Sequence, residues 1–126
     1  MTALADTSVF VAREQGRPLR EGVEEDVAVS VVTVGELRLG VLLARDVESR
    51  ASRLVTLRLG ESLEPVPVDD GVADAWARLV ARLREAGRRM PINDSWIAAT
   101  ALAHGYAVLT QDDDYDAVPD VEVVKV

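Results

Sequence analysis

Short apolar runs rich in valine alternate with longer amphipathic segments along the chain. The runs lack a strict alternation of apolar and polar residues, which is typical of short strands buried on both faces of a sheet. They lie at residues 3–5, 27–32, 65–68, 106–109 and 121–126. The pattern therefore predicts about five strands.

The segments between these runs place apolar residues at helical spacing. In the clearest of them, residues 72–83 follow Asp69 and Asp70 and precede Gly87, which are residue types favoured at the beginning and the end of a helix. Further helices are predicted over residues 33–44, 47–59 and 93–103. The order of strands and helices predicts an α/β fold in which a mainly parallel sheet has helices on both faces.

The composition predicts one compact domain spanning residues 1–126. With 126 residues, 48% of them hydrophobic, the chain suffices for one core and leaves little room for a second. The absence of cysteine excludes disulfides, thiolate zinc sites and cysteine nucleophiles. The N-terminus lacks the features of a signal peptide, and no segment approaches the roughly 20 apolar residues of a membrane span. We therefore expect a cytoplasmic protein that does not enter a membrane.

The formal net charge of -8 argues against a protein that binds polyanions over its whole surface. All but one of the 14 basic residues are nevertheless arginine, and many fall within residues 38–58 and 78–89. A local basic surface is therefore compatible with the negative chain, although each arginine taken singly fits a solvated helix face with acidic neighbours.

Carboxylates lie at the ends of several predicted strands. Asp6 ends the first strand, Glu36 lies early in the helix after the second, and Asp94 opens the helix before the fourth. The fourth strand leads into LTQDDDYDAV, where aspartates crowd residues 112–116. Sites in open parallel sheets form at this edge, so the carboxylates are expected to share one anionic pocket. A divalent cation would offset their repulsion, and Mg²⁺ or Mn²⁺ fits oxygen ligands better than zinc does.

Each of these carboxylates also has a purely structural explanation. Thr33 and Glu36 have the spacing of a capping box, and Asn93 or Asp94 fits a helix N-cap. The aspartates after the fourth strand fit a surface loop. The only histidine, His104, is expected to be structural, because it lies near a predicted helix end where its charge interacts favourably with the helix dipole.

The chemistry that remains is metal-assisted hydrolysis. A single histidine excludes paired-histidine ribonuclease chemistry, and no G-x-S-x-G, P-loop or G-x-G-x-x-G motif is present. A calcium-binding EF-hand loop is disfavoured, because Ala117 and Val123 stand where glycine and glutamate are needed. A non-catalytic acidic α/β module, either receiver-like or protein-binding, stays open as the alternative, although Asp6 stands alone and Lys125 is penultimate.

Four motifs agree in order, spacing and surrounding residues with one known family. They are LADTSV with Asp6, SVVTVGELRLG with Glu36, NDSWIAATAL with Asp94 and VLTQDDDY with Asp112. With them the sequence resembles the PIN-domain ribonucleases of the VapC type, the toxins of bacterial VapBC toxin–antitoxin pairs. The resemblance implies a PIN-like three-layer sandwich with a central, mainly parallel sheet. It also implies Mg²⁺- or Mn²⁺-dependent hydrolysis of RNA that leaves a 5′-phosphate and a 3′-hydroxyl.

The resemblance further implies which residues carry the chemistry. Asp6, Asp94 and Asp112 would hold the metal, and Glu36 would act on the metal or on the water. Three other residues match the family pattern and are accessory candidates: Asp114, Thr7 and Thr110. The hydroxyls of Thr7 and Thr110 would orient the metal-binding carboxylates. Asp114 would serve a second metal or the rim of the site. Whether Asp113 or Asp114 is the functionally important acid stays open.

The partners that the resemblance implies are an RNA substrate, a second copy of the toxin in a homodimer, and a VapB-type antitoxin. The C-terminal segment of the antitoxin would occlude the site, where an inserted arginine would displace the metal. Trp76 and Trp96 are candidates for the core or for an interface, and the core is the expected place for them.

Overall fold

The computed structural model describes residues 2–20, 26–116 and 118–126. Its sheet has the order β2-β1-β3-β4, with all pairings parallel, and contains β1 (Thr2–Ala5), β2 (Asp26–Ala28), β3 (Ala107–Thr110) and β4 (Val123–Lys125). The helices are α1 (Thr7–Glu14), α2 (Val31–Leu43), α3 (Val47–Ser62), α4 (Asp70–Glu85) and α5 (Ile92–His104). Among the described residues, no helix is long and apolar enough to cross a membrane.

Side chains are buried on both faces of the sheet, which lies between two helical layers. On one face, Leu4 and Val108 pack with Leu79 of α4 and Ile97 of α5. On the other face, Ala3 packs with residues from the first three helices: Phe10, Leu37 and Leu57. This arrangement confirms the predicted α/β class and the three-layer sandwich.

The predicted third strand, residues 65–68, is reduced to a single parallel bridge between Ser30 and Val66. Val66 N donates to Val29 O at 2.8 Å, but Pro65 and Pro67 on either side have no N–H to extend the pairing. The described residues therefore form a sheet of four strands rather than the predicted five.

Ser30, and not Thr33, caps α2. The Ser30 side chain is fully buried, and its Oγ accepts a hydrogen bond from Val32 N at 3.1 Å. The predicted strand over residues 27–32 therefore ends early, and the predicted capping box of Thr33 and Glu36 is wrong. Because the helix begins before them, these two side chains are available for other contacts.

The start of α5 also differs from the prediction. Pro91 precedes the helix without a side-chain cap, so Asn93 and Asp94 lie inside the first turn instead of capping it. Gly105 ends the helix after His104 with a φ of 68°, a left-handed conformation that glycine adopts at low cost. The Asp94 carboxylate is thus not used to cap its own helix.

Candidate metal and active site

The site is built where β1 and β3 end side by side. Asp6 directly follows β1, and Thr110 ends β3. The Asp6 side chain is only 1% exposed; it accepts hydrogen bonds from Ser8 N at 2.9 Å and from Thr110 Oγ1 at 3.0 Å. The Ser8 hydroxyl donates to Asp6 as well and accepts from Gln111 N at 2.9 Å. These contacts tie the two strand ends together around one carboxylate.

The environment of Asp6 works against its negative charge. Burial raises the pKa of the Asp6 carboxyl, hydrogen bonds from Ser8 and Thr110 lower it, and the charge of Asp112 raises it further. A carboxylate that is fixed in place, poorly solvated and close to like charges is stabilised by a cation.

Three further carboxylates converge near Asp6. One oxygen from each of Asp94, Asp112 and Asp114 lies within 4.8 Å of the others. Asp94 comes from the first turn of α5, and the other two come from the loop after β3. The structure therefore brings together the predicted residues Asp94 and Asp112 and the predicted accessory residue Asp114, and the charge of Asp6 acts on this group.

The surroundings of Asp94 shift the pKa of its carboxyl upward. Burial, followed by the carboxyl of Asp114 and the charge of Asp6, raises the pKa of Asp94 to about 7. A shift of this kind from partial burial and like charges is a feature of functional sites, although structural clusters also produce it.

Asp113 faces a different partner. Its Oδ1 lies 2.6 Å from the Lys125 Nζ, which is also 3.1 Å from Asp116 and donates to the backbone oxygen of Asp112. The Lys125 ammonium lowers the pKa of Asp113. The repulsion among residues 112–116, which a metal was expected to offset, is thus partly offset by Lys125 on β4.

Glu36 lies next to α1 through its contact with Thr7. The Thr7 hydroxyl donates to Glu36 Oε1 at 2.7 Å and lies 3.1 Å from the hydroxyl oxygen of Thr33. Thr7 directly follows Asp6, so Glu36 is held close to the N-terminus of α1. Of the two predicted accessory hydroxyls, Thr110 contacts Asp6 and Thr7 contacts Glu36.

Tyr115 lies at the site but was not predicted from the sequence. Its side chain is fully buried, and its hydroxyl lies near the carboxyls of Asp6 and Asp94 without a hydrogen bond of ordinary length and angle to any described residue. Burial, followed by the charges of Asp6 and Asp94, raises the pKa of the Tyr115 hydroxyl, so the group stays neutral. Because this hydroxyl is polar, the two neighbouring carboxylates lose less favourable solvation than they would beside a purely apolar ring. The signal available in the sequence was an aromatic residue, Tyr115, placed among the aspartates of an acidic loop.

The residues present fit a hard divalent cation. The converging side chains offer carboxylate oxygens, and hydroxyls orient Asp6 and Glu36. Mg²⁺ and Mn²⁺ prefer such oxygen ligands, whereas zinc sites use histidine or cysteine more often. Asp6, Asp94, Asp112 and Asp114 are therefore the side chains that could hold the ion.

Comparisons with known proteins agree with this geometry. A family model described as "PIN domain" matches residues 3–121. The chain is 58% identical to Ribonuclease VapC4 of Mycobacterium tuberculosis over 126 residues, covering 98% of this chain and 96% of that protein. It is 50% identical to Ribonuclease VapC5 of the same organism, covering 96% of this chain and 93% of that protein.

A solved structure gives the same relationship in three dimensions. It is the crystal structure of VapBC-5, described as a member of the VapBC family of toxin–antitoxin systems, from Mycobacterium tuberculosis. It matches with a TM-score of 0.90 and 46% sequence identity over 99% of this chain and 98% of that chain. The chain therefore belongs to the PIN domain family.

Proposed function

We propose that this protein is a metal-dependent endoribonuclease and the toxin of a toxin–antitoxin pair. The observation that carries the proposal is the convergence of Asp94, Asp112 and Asp114 next to the buried Asp6. An anionic cluster of this kind is unfavourable without a cation, and with one it is suited to phosphodiester hydrolysis. The near full-length similarity to proteins named ribonucleases supports RNA as the substrate.

Asp6, Asp94 and Asp112 are proposed to hold Mg²⁺ or Mn²⁺, with Asp114 as a further acid for a second ion or for the rim. A bound cation would lower the pKa of a water molecule and stabilise charge on the leaving oxygen. The chain itself fixes the first ligand, because Ser8 and Thr110 hold the Asp6 carboxylate by hydrogen bonds.

Glu36 is proposed to orient the attacking water. Thr7 donates to Oε1 of Glu36 and leaves Oε2 available to accept a proton or a hydrogen bond from that water. The water oxygen forms a bond to phosphorus while the bond to the 3′ oxygen breaks. That oxygen takes up a proton, so the products are a 5′-phosphate and a 3′-hydroxyl.

The partners are proposed to be a VapB-type antitoxin, the RNA substrate and a second copy of the chain in a homodimer, all in the cytoplasm. The similar solved structure carries the name of a toxin–antitoxin family, which supports the antitoxin. Large apolar side chains are also exposed at the end of α2 and the start of α3: Leu39, Leu42, Leu43 and Val47. Exposed apolar patches of this kind are typical of protein interaction sites.

The test is cleavage of total cellular RNA by the purified chain with Mn²⁺, with excess chelator, and with Asp94→Asn. We expect discrete fragments only with the metal and the wild-type residue, and a rate loss of more than about 100-fold for the variant. Asp113→Asn is the matched control, because it removes the same charge from an exposed neighbour that pairs with Lys125, and it should cleave within a few-fold of wild type.

An identical fragment pattern from Asp94→Asn, or cleavage that persists in chelator, would contradict the proposal. Absence of cleavage combined with tight protein binding that Asp94→Asn abolishes would instead favour the non-catalytic acidic binding module.

A further inference from the structure

A cavity of about 550 Å³ opens between the end of α4, the loop that follows it and the start of α5. Its lining combines aromatic and apolar side chains with arginines: Trp76, Met90, Ile92, Arg84, Arg88 and Arg89. This basic surface stands out in a chain with a net charge of -8. The arginines can contact phosphates directly, whereas the carboxylates of Asp94, Asp112 and Asp114 would contact them only through a bound cation.

Trp76 is held firmly in the wall of this cavity. Its Nε1 donates to Ser95 Oγ at 2.9 Å, and its ring stacks on Trp96 with the centroids 4.4 Å apart and the planes 6° apart. The expectation that both tryptophans lie in the core is wrong, because each remains partly exposed. An aromatic ring that is fixed before the ligand arrives loses little side-chain entropy on binding a planar group.

The cavity and the carboxylate cluster share the first turn of α5. Ser95 and Ile92 line the cavity, and Ser95 Oγ donates to the backbone oxygen of Ile92 at 2.5 Å. Asp94 lies between them in the sequence and contributes its carboxylate to the cluster. The first turn of α5 therefore contributes side chains both to the cavity and to the carboxylate cluster.

We propose that this cavity is a nucleotide subsite that binds one base and an adjoining phosphate of single-stranded RNA beside the bond to be cleaved. The inference rests on the proposed function for the reaction itself. Arg84 and Arg89 bind the phosphate, and Trp76 contacts the base. The cavity lies within the roughly 300–1,000 Å³ of sites that bind small ligands, which leaves room for one nucleotide.

The charges around the cavity favour this occupant over a second copy of the chain. Within residues 2–20, 26–116 and 118–126, no ion pair involves the side chain of Arg84 or Arg89. A copy that docked symmetrically through the same cavity would set arginines against arginines. An anionic ligand with a flat apolar part satisfies both the arginines and the tryptophan.

The test measures RNA affinity in the Asp94→Asn chain with Mn²⁺, using fluorescence anisotropy of a labelled single-stranded RNA of random sequence. The cavity pair, Arg84→Glu with Arg89→Glu, is compared with the control pair, Arg45→Glu with Arg58→Glu. All four arginines are exposed, and both pairs change the net charge equally. The midpoints of urea unfolding of both pairs should match that of the background chain.

We expect the cavity pair to bind RNA about tenfold or more weakly than the control pair. The slope of log affinity against log salt concentration should also fall in magnitude by roughly 0.7 for each phosphate that the substituted arginines no longer neutralise. The chain has only two tryptophans, and both belong to this stack, so adenosine monophosphate should quench their fluorescence in the control pair and not in the cavity pair.

Equal RNA affinities and salt slopes of the two pairs overturn the subsite, and so does equal quenching. The subsite is also overturned if the cavity binds labelled polyglutamate but not RNA, because its ligand would then be an acidic protein segment. Cleavage by the wild-type chain is assayed separately. If the wild-type chain does not cleave RNA but the cavity pair still weakens RNA binding selectively, the subsite stands and the proposed nuclease function fails.

Discussion

The site crowds the carboxylates of Asp94, Asp112 and Asp114 into a small region. The stability of this arrangement depends on what neutralises the negative charge of the aspartates. In the metal-free chain a proton does so, because burial and the neighbouring carboxylates raise the pKa of Asp94 to about 7. Lys125 neutralises the charge of the outer aspartate, Asp113. The proposed metal would be the third means, and it would compete with the proton for the same oxygens.

The raised pKa of Asp94 gives the metal-free chain a distinct dependence on pH. Between its usual pKa of 3.8 and about 7, the folded state holds the Asp94 proton more tightly than the unfolded state does. The stabilisation is therefore present below about pH 4 and is lost as the pH rises through about 7, so the free energy of unfolding falls across that window. Urea unfolding in chelator should show this fall, and Asp94→Asn should reduce it.

Mn²⁺ should reverse the trend, because the metal binds the deprotonated carboxylates and stabilises the folded state more as the pH rises. A metal-free chain whose stability has the same pH dependence as that of Asp94→Asn would show that Asp94 has an ordinary pKa. Asp6, whose pKa burial also raises, contributes in the same direction and leaves a residual fall in the variant.

The sequence predicted that acids from distant segments would lie close together, because parallel strands deliver their carboxyl ends to one edge. It could not locate Ser8 or Lys125 as supporting residues. Ser8 Oγ accepts from Gln111 N, 103 residues further along the chain, and Lys125 reaches Asp113 only after β4 has docked beside β3. Contacts of this kind depend on strand order, which local patterns do not specify.

At the scale of elements, the sequence predicted the main helices and the parallel sheet, but it misplaced boundaries where two local signals compete. Ser30 and Thr33 both have cap-forming side chains, and the apolar run that contains Ser30 fits a strand as well as a helix start. The tertiary structure decides, because Thr33 is buried against Thr7 and the helix begins earlier. The early start places Glu36 one turn further into α2 than a capping residue would lie.

Ser30→Ala should lower the free energy of unfolding by about 1 kcal/mol, because it removes the cap that accepts from Val32 N. Chemical denaturation of the metal-free chain measures the change. Ser52→Ala is the control, since Ser52 is exposed on α3, and its effect should stay within about 0.5 kcal/mol. Equal losses from both substitutions would mean that Ser30 does not cap α2.

At the scale of the whole molecule, three surfaces with different chemistry lie around the sheet and its two helical layers. The carboxylate cluster is anionic, the cavity beside α4 and α5 is basic and aromatic, and the junction of α2 and α3 is apolar. The sequence predicted the first from its motifs. It predicted plentiful arginine and apolar helix surface, but not their separation, because which helix faces stay exposed follows only from how the layers pack.

The apolar junction is expected to bind the antitoxin proposed above. Leu42 is 71% exposed and Val47 is 87% exposed, so replacing both with aspartate should leave the isolated chain folded and its RNA cleavage unchanged. Antitoxin affinity, measured by calorimetry, should fall by more than about tenfold, because an apolar contact is replaced by buried charge.

Ile92→Asp serves as the control for that experiment. Ile92 is 62% exposed and begins α5, whose core residues pack on the opposite face of the sheet from those of α2. Its substitution should therefore leave antitoxin affinity nearly unchanged while weakening RNA binding at the cavity that it lines. If Ile92→Asp weakens the antitoxin as much as the paired substitutions do, the antitoxin covers both faces or reports only the added charge, and the assignment of the apolar junction is wrong.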